Sequence, residues 1–226
     1  MYQLFYNENF IEAVNDYYYL INKNYPSRMI LKLVSDRYNL NHDQRTIIYR
    51  GVFKKEEIEN RKKRLTVNLE NSIIWIDGYN VLFPVTHYLT GRPLFVSLDN
   101  MVRDVGRWSE KELIYDFFEK SSVLLIEYLK NANVKEIHVC IDDTPKYGLL
   151  HKNCIENLLL KLNKNNSCIL NKTADKILEK IINGIIATSD TEILSKNNLQ
   201  IVDLPKLILK HFYEANFVNL SIFLRN

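Results

Sequence analysis

The sequence predicts an α/β domain over residues 67–226, a mostly parallel sheet with helices on both faces, preceded by a small all-α domain over residues 1–66. Three observations carry that reading. Ser72 to Leu82, SIIWIDGYNVL, is an apolar run of strand formers cut off at Asp77-Gly78-Tyr79-Asn80, the pattern of a fully buried parallel strand that ends in a turn. Beyond it, short apolar runs alternate with stretches of helical spacing, the βαβα rhythm of a parallel sheet. Before it, apolar residues recur at intervals of three and four.

Over Glu8 to Asn22, Phe10, Ile11, Val14, Tyr18 and Ile21 share one helical face. Pro26 starts a second helix that carries Met29, Ile30, Leu33 and Val34 and ends near Tyr38. Asn41-His42-Asp43-Gln44 is a capping-box pattern, so a third helix runs toward Arg50 with Gly51 as its stop. Three short helices with tight turns admit a helix-turn-helix arrangement. Arg37, Arg45 and Arg50 stand either on a phosphate-facing surface or in pairs with Asp36 and Asp43. The connector that follows holds Lys54-Lys55 and Arg61-Lys62-Lys63-Arg64; with Glu56, Glu57 and Glu59 between them it reads first as a solvated helix face and second as a nucleic-acid patch.

In the second domain Ile73 to Ile76 is the first strand. Residues 83–110, with Gly91-Arg92-Pro93-Leu94 and Arg103-Asp104, lack helical periodicity and read as a loop-rich insertion of the length that commonly carries function. A helix over Phe117 to Leu129 leads to a strand, Glu136 to Ile141, that ends in Asp142-Asp143. Then come a helix around Ile155 to Leu162, a strand Ser167 to Leu170, and a helix Ala174 to Ile182. The strand Gly184 to Ala187 runs into Thr188-Ser189-Asp190, and Gln200 to Val202 runs into Asp203. Val218 to Phe223 is a candidate edge strand. The chain shows no internal repeat and no low-complexity tract.

Composition bounds the function. At 46% hydrophobic and 25% charged residues the chain is globular rather than disordered. It holds no apolar run of spanning length and no signal-peptide layout at its start, so the expectation is a cytoplasmic protein without a membrane partner. Cys140, Cys154 and Cys168 lack CxxC spacing and read as reduced core residues; the five histidines form no ligand spacing. The net charge of +3 is too small to imply nucleic acid, but residues 1–70 hold 12 Lys/Arg against 9 Asp/Glu while the rest hold 18 of each.

The acids are distributed more tellingly. Asp77, Asp142 and Asp190 each follow an apolar strand, and Asp175 begins the helix after another. In open α/β sheets ligands sit at the carboxyl ends of the strands. Carboxylates gathered there repel one another unless a cation lies between them, and Mg²⁺ or Mn²⁺ suits oxygen donors. A metal so held can activate water and neutralise a phosphodiester, which points to metal-dependent phosphodiester hydrolysis. Each acid also has a plainer reading: Asp77-Gly78 as a turn pair with Asn80 as a helix cap, Asp190 and Asp175 in first helical turns, Asp142-Asp143 as turn formers.

IDGYNVL at Ile76 to Leu82 resembles the opening motif of the NYN branch of PIN-like ribonucleases, and Lys172-Thr-Ala-Asp175 with Ile185-Ile-Ala-Thr-Ser-Asp190 is similar to that family's second half. The resemblance implies catalytic positions Asp77, Asn80, Asp175 and Asp190, with Asp77, Asp175, Asp190 and the less securely matched Asp142 toward the metal. Together with Tyr25-Pro26, Leu33-Val-Ser-Asp-Arg-Tyr38, Arg50-Gly51-Val52, Gly91-Arg-Pro-Leu94 and Val102-Arg-Asp104, the motifs resemble a largely archaeal family. In it a small N-terminal domain of unknown function precedes a PIN-like domain. The insertion has no counterpart in ordinary PIN ribonucleases, and two readings stand: a clamp with Arg92 and Arg103 facing phosphate, or a cover on a dead site, with Asp104 as an optional extra ligand.

The implied activity is an Mg²⁺- or Mn²⁺-dependent endoribonuclease acting on structured RNA such as tRNA or rRNA, gripped by Arg37, Arg45, Arg50, Arg92, Arg103 and the basic connector. The rival reading is a non-catalytic RNA- or ribosome-binding protein whose acids are paired with Lys172, Lys176 or Arg103. Oligomeric state has no signal in the sequence.

Overall fold

A computed structural model describes residues 2–106, 115–143, 147–162 and 165–225. They fall into two units, one of Met1–Lys63, Arg92–Arg107 and Asn216–Asn226, the other of Arg64–Gly91 and Trp108–Ala215.

The first unit opens with helices α1 (Tyr2–Phe5), α2 (Glu8–Asn22), α3 (Ser27–Arg37) and α4 (His42–Gly51), and α5 (Lys55–Arg64) starts within it. The Asn41 capping box forms as expected: the Asn41 side chain accepts from the Gln44 backbone N–H and the Gln44 side chain accepts from that of Asn41. Gly51 is the last residue of α4 rather than a stop beyond it. The elements within residues 1–66 are helices, as expected, but this unit also holds a three-stranded sheet drawn from outside that span. Strands β2 (Leu94–Val96) and β3 (Val102–Asp104) pair antiparallel, and β8 (Val218–Asn219) joins β2 in parallel, ahead of a 3₁₀ turn, Leu220–Phe223. The cause is core volume. Phe95, Leu98, Leu220 and Phe223 are buried with Phe5, Phe10, Val14, Ile47 and Ile48 in one apolar cluster. The segments from residues 92–107 and from the chain's end thus supply side chains for a core that the helices share with them.

The supposed loop-rich insertion is therefore not one loop. Residues 78–89 are helical, the stretch after Gly91 is a hairpin, and residues 107–110 lie outside the described residues.

The second unit carries the five-stranded parallel sheet, ordered β5 (Ser167–Asn171), β4 (Glu136–Asp142), β1 (Ile73–Asp77), β6 (Ile185–Ala187), β7 (Gln200–Ile201). Its helices are α6 (Gly78–Leu89), α7 (Tyr115–Asn131), α8 (Gly148–Leu160), α9 (Ala174–Leu178), α10 (Thr191–Lys196) and α11 (Leu204–Tyr213). Parallel register places Asp77 opposite Cys140, so Asp77, Cys140 and Asp142 share one sheet face. Val139 and Ile141 point to the other face, where Gly78 at the start of α6 lies against them. Helix α6 packs with α7 and α11, and α7 with α8; α9 packs against β1, β4 and β5. The first strand lies at the centre and the chain departs from it in both directions, so β1 and β6 flank the switch point of the sheet.

Candidate active site

The carboxyl ends of β1 and β6 build the site. Asp77 ends β1 and caps α6, and its carboxylate Oδ2 accepts from Asn80 Nδ2 and from the Thr188 hydroxyl, both at 2.7 Å. The Ser189 hydroxyl donates to Asn80 Oδ1 at 3.1 Å, which turns the Asn80 amide toward Asp77. The Asp190 backbone N–H donates to Thr188 Oγ1 at 3.0 Å. Thus β1, the first turn of α6 and the loop after β6 are held together by one polar chain. Asp190 itself is the N-cap of α10, its Oδ1 accepting from the backbone N–H of Glu192 at 2.7 Å and of Ile193 at 3.3 Å.

The electrostatics are unusual for an α/β core. Asp77 is buried, and burial, with the Asp175 charge adding to it, pushes its carboxyl up to about 7 against the opposing hydrogen bonds from Thr188 and Asn80. Burial also raises Asp142, opposed by the Ala174 backbone N–H. Asp175 is raised by burial and then by the charges of Asp142 and Asp190. Burial and the neighbouring Asp77 and Asp142 push the Cys140 thiol up to about 12, so it stays neutral. Among the described residues none of the four acids has a Lys, Arg or His within ion-pair distance, and Lys196, which interacts with Asp190 electrostatically, is paired with Glu179. A pairing of Asp77 or Asp190 with Lys172, Lys176 or Arg103, the example of tied-up acids that the rival reading offers, is absent there.

The structure therefore brings Asp77 and Asn80 into direct contact and links Asp190 to them through Thr188. Asp142 ends β4 and Asp175 lies in the first turn of α9, after β5, so both stand on the same edge of the sheet, where the Asp142 charge raises Asp175. Among the described residues no three His, Cys, Asp or Glu side chains are grouped closely enough to hold an ion between them. Thr188 and Ser189 are the residues that motif reading passed over; their signal was a pair of hydroxyls immediately before an acid at a strand end.

The arginines divide differently. Arg37 and Arg45 lie on the surface of the first unit, 70% and 44% exposed, beside Asp16 and Asp36 at 4.0 and 3.7 Å. Arg50 pairs with the buried Asp104, which also accepts from the Gly106 N–H, so Asp104 is committed to that ion pair and is not an additional ligand. Arg103 is a correction: 2% exposed, it binds Asp99 through both Nη atoms, at 2.6 and 2.9 Å, and cannot face phosphate. Arg92 is half-buried. The basic connector is also largely spent. Arg61 is buried on Asp99 and Glu57, and Arg64 donates to the Leu194 and Leu199 carbonyls and to Asn197, which leaves Lys62 and Lys63 exposed.

Comparison with known proteins gives families without activities. The family model of a domain of unknown function, DUF5616, matches residues 66–207, and that of a second protein of unknown function, DUF434, matches residues 9–64. An uncharacterised protein of Methanocaldococcus jannaschii is 29% identical over 197 residues, which cover 85% of this chain and 93% of that protein. No solved structure matches.

Proposed function

This chain belongs to the DUF5616 family, whose description states no activity, and we propose that its acidic edge is a divalent-metal site hydrolysing RNA phosphodiester bonds on a PIN-like sheet. The observation that carries the reading is a set of four carboxylates along the carboxyl edge of the sheet, Asp77 and Asp190 at its switch point, none with a cation at ion-pair distance among the described residues and one raised to about 7 by burial. The donor set is all oxygen, which suits Mg²⁺ or Mn²⁺. Such an ion commonly takes one or two carboxylates and keeps its other waters, so the residues fit a partly hydrated ion and not an all-protein cage.

One or two of Asp77, Asp175 and Asp190 would hold it, with water filling the rest of its shell. Bound there, a divalent ion supplies charge neutralisation for the phosphodiester and a water acidic enough to attack at neutral pH. The chain's own residues do the positioning. Asn80 and Thr188 fix the Asp77 carboxylate from two sides, and Ser189 fixes Asn80 in turn. RNA as substrate rests on the resemblance of IDGYNVL and of Ala187-Thr-Ser-Asp190 to NYN-type nucleases. Arg37 and Arg45 are the phosphate contacts that remain, because exposed ion pairs of this kind contribute little and yield to a phosphate.

One observation favours a second reading, a non-catalytic RNA- or ribosome-binding protein: Asp190 spends an oxygen on capping α10. The test is cleavage of labelled RNA with Mn²⁺ by the parent and by the Asp77→Asn, Asp190→Asn double variant. Asparagine can cap both helices through its amide oxygen, and matching thermal melts of parent and variant check that the variant stays folded. The proposal expects parental cleavage that EDTA and the double variant both abolish. A parent that retains RNA without cutting it supports the second reading, and a double variant that cuts as well as the parent ends the catalytic assignment.

A further inference from the structure

The two edges of the parallel sheet are finished differently. At β7 the chain closes the edge itself, with Leu65 bridging Ile201 and the Thr66 N–H donating to the Ile201 carbonyl at 2.8 Å. At β5 no such closure exists among the described residues. The Asn171 carbonyl accepts from the Asp143 N–H at 3.1 Å, so alternation turns the backbone groups of Ser167, Ile169 and Asn171 toward β4 and those of Cys168 and Leu170 outward. Among the described residues no hydrogen bond involves those outward groups. The strand reads Ser-Cys-Ile-Leu-Asn, without the Lys, Glu or Pro that blunts a solvent-facing edge.

Helix α8 runs beside this edge, and the two enclose a groove of about 710 Å³ lined by Asn153, Glu156, Asn157, Leu160, Ser167 and Cys168. At its floor Asn166 Oδ1 accepts from the Ile137 N–H, while its Nδ2 is buried without a partner. The outer face of α8 is self-complementary under reversal. Leu149 and Leu160, 63% and 75% exposed, stand at its two ends, Asn153 and Glu156 stand symmetrically inside them, and so do Lys152 and Asn157. Set antiparallel to a copy of itself, the helix meets leucine with leucine at each end and an amide with a carboxylate between. The Lys152–Glu156 pair within each helix keeps the face neutral, so two copies do not repel.

We infer that this chain pairs with a second copy of itself along β5 and α8, joining two five-stranded sheets into one across a two-fold axis. A two-fold contact requires a patch complementary to itself, and an open uncharged strand flanked by a palindromic helix face is one. Cys168 and Leu170 then exchange backbone hydrogen bonds with the partner copy, and the exposed leucines leave water. Because the strands are antiparallel across the axis, the two acidic edges point in opposite directions. This interface does not depend on any activity at the acids.

Light scattering on eluted full-length protein tests it. The expected mass is twice the 26.8 kDa of one chain. Leu160→Lys, at an exposed position that leaves the fold intact, halves that mass. The double variant Leu149→Glu, Leu160→Lys restores the dimer, because each new carboxylate lies opposite the partner's new ammonium. In parallel, the backbone amides of 168 and 170 exchange slowly in the parent dimer and rapidly in Leu160→Lys. A parent that stays monomeric at every concentration overturns the inference. So does a dimer that Leu160→Lys leaves intact, or one whose 167–171 segment exchanges freely.

Discussion

Two aspartates at the scale of single residues show opposite uses of burial. Asp77 carries its raised value because no cation offsets the loss of water, so the folded protein holds a proton there that the unfolded chain releases. Between the ordinary carboxylate range and about pH 7 the folded state binds more protons than the unfolded one, so stability from this group falls as pH rises through that window. Asp77→Asn is expected to abolish this dependence: urea midpoints of parent and variant converge near pH 4 and the variant is the more stable at pH 8. Equal slopes in the two proteins would contradict it. Burial alone would also raise Asp99, yet the Arg103 guanidinium first, then Ser97 and Arg61, hold it down at about 2. Both guanidinium groups also lie over the Phe53 ring, at 4.5 and 4.8 Å. Removing the carboxylate leaves two buried cations facing each other, so Asp99→Ala is expected to cost about 3–5 kcal/mol by urea unfolding. Asp77, Asn80 and Asp190 were legible because each ends or follows an apolar run. Arg103 was misread because a charge in a Gly/Pro-rich stretch looks exposed, and its partner four residues earlier, Asp99, carries no motif.

Among elements, α6 decides how well the chain could be read and how the site is held. Its side chains Val81, Leu82, Val85, Thr86 and His87 are buried nearly all round, so no amphipathic stripe marked it. Helix α11 passed unread although its signals were present, with Asp203 as its cap, Pro205 in its first turn and a buried face of Leu204, Ile208 and Leu209 opposite exposed Lys210 and His211. The capping box of α4 and the period of α2 were read correctly because both signals are local. At the start of α6, Gly78 lets the helix approach β4: an added Cβ would lie 2.9 Å from Ile141 Cγ1 and 3.0 Å from the Cys140 carbonyl. Gly78→Ala therefore pushes α6 off the strand that carries Asp142 and shifts Asn80 away from Asp77. The expected outcome is a loss of about 1–3 kcal/mol in urea unfolding, from overpacking. A stable variant would mean that the close approach does not position the site.

On the scale of the whole molecule, the chain is threaded so that its first unit is completed by residues 92–107 and by its own end. Sequence order could not reveal that, because strands of two or three residues carry almost no periodicity and their pairing is non-local. The same threading predicts a stability consequence. Deleting Asn216 onward removes β8 and the buried Leu220 and Phe223 from the first unit's core, and with them roughly 3–6 kcal/mol of burial by the usual worth of such side chains. The truncated chain is expected to lose cooperative unfolding in the first unit while hydrogen exchange in β1, β4 and β6 stays protected. The five-stranded sheet itself was visible from the alternation of apolar runs, since parallel strands buried on both faces announce themselves without any partner. The central claim, that the carboxylates collected along its carboxyl edge hold a divalent ion, is tested most directly by diffraction from crystals soaked in Mn²⁺. The account predicts an anomalous peak about 2–2.6 Å from oxygens of Asp77, Asp175 or Asp190. A fully occupied soak whose only peaks lie elsewhere, with those carboxylates unmoved, contradicts it.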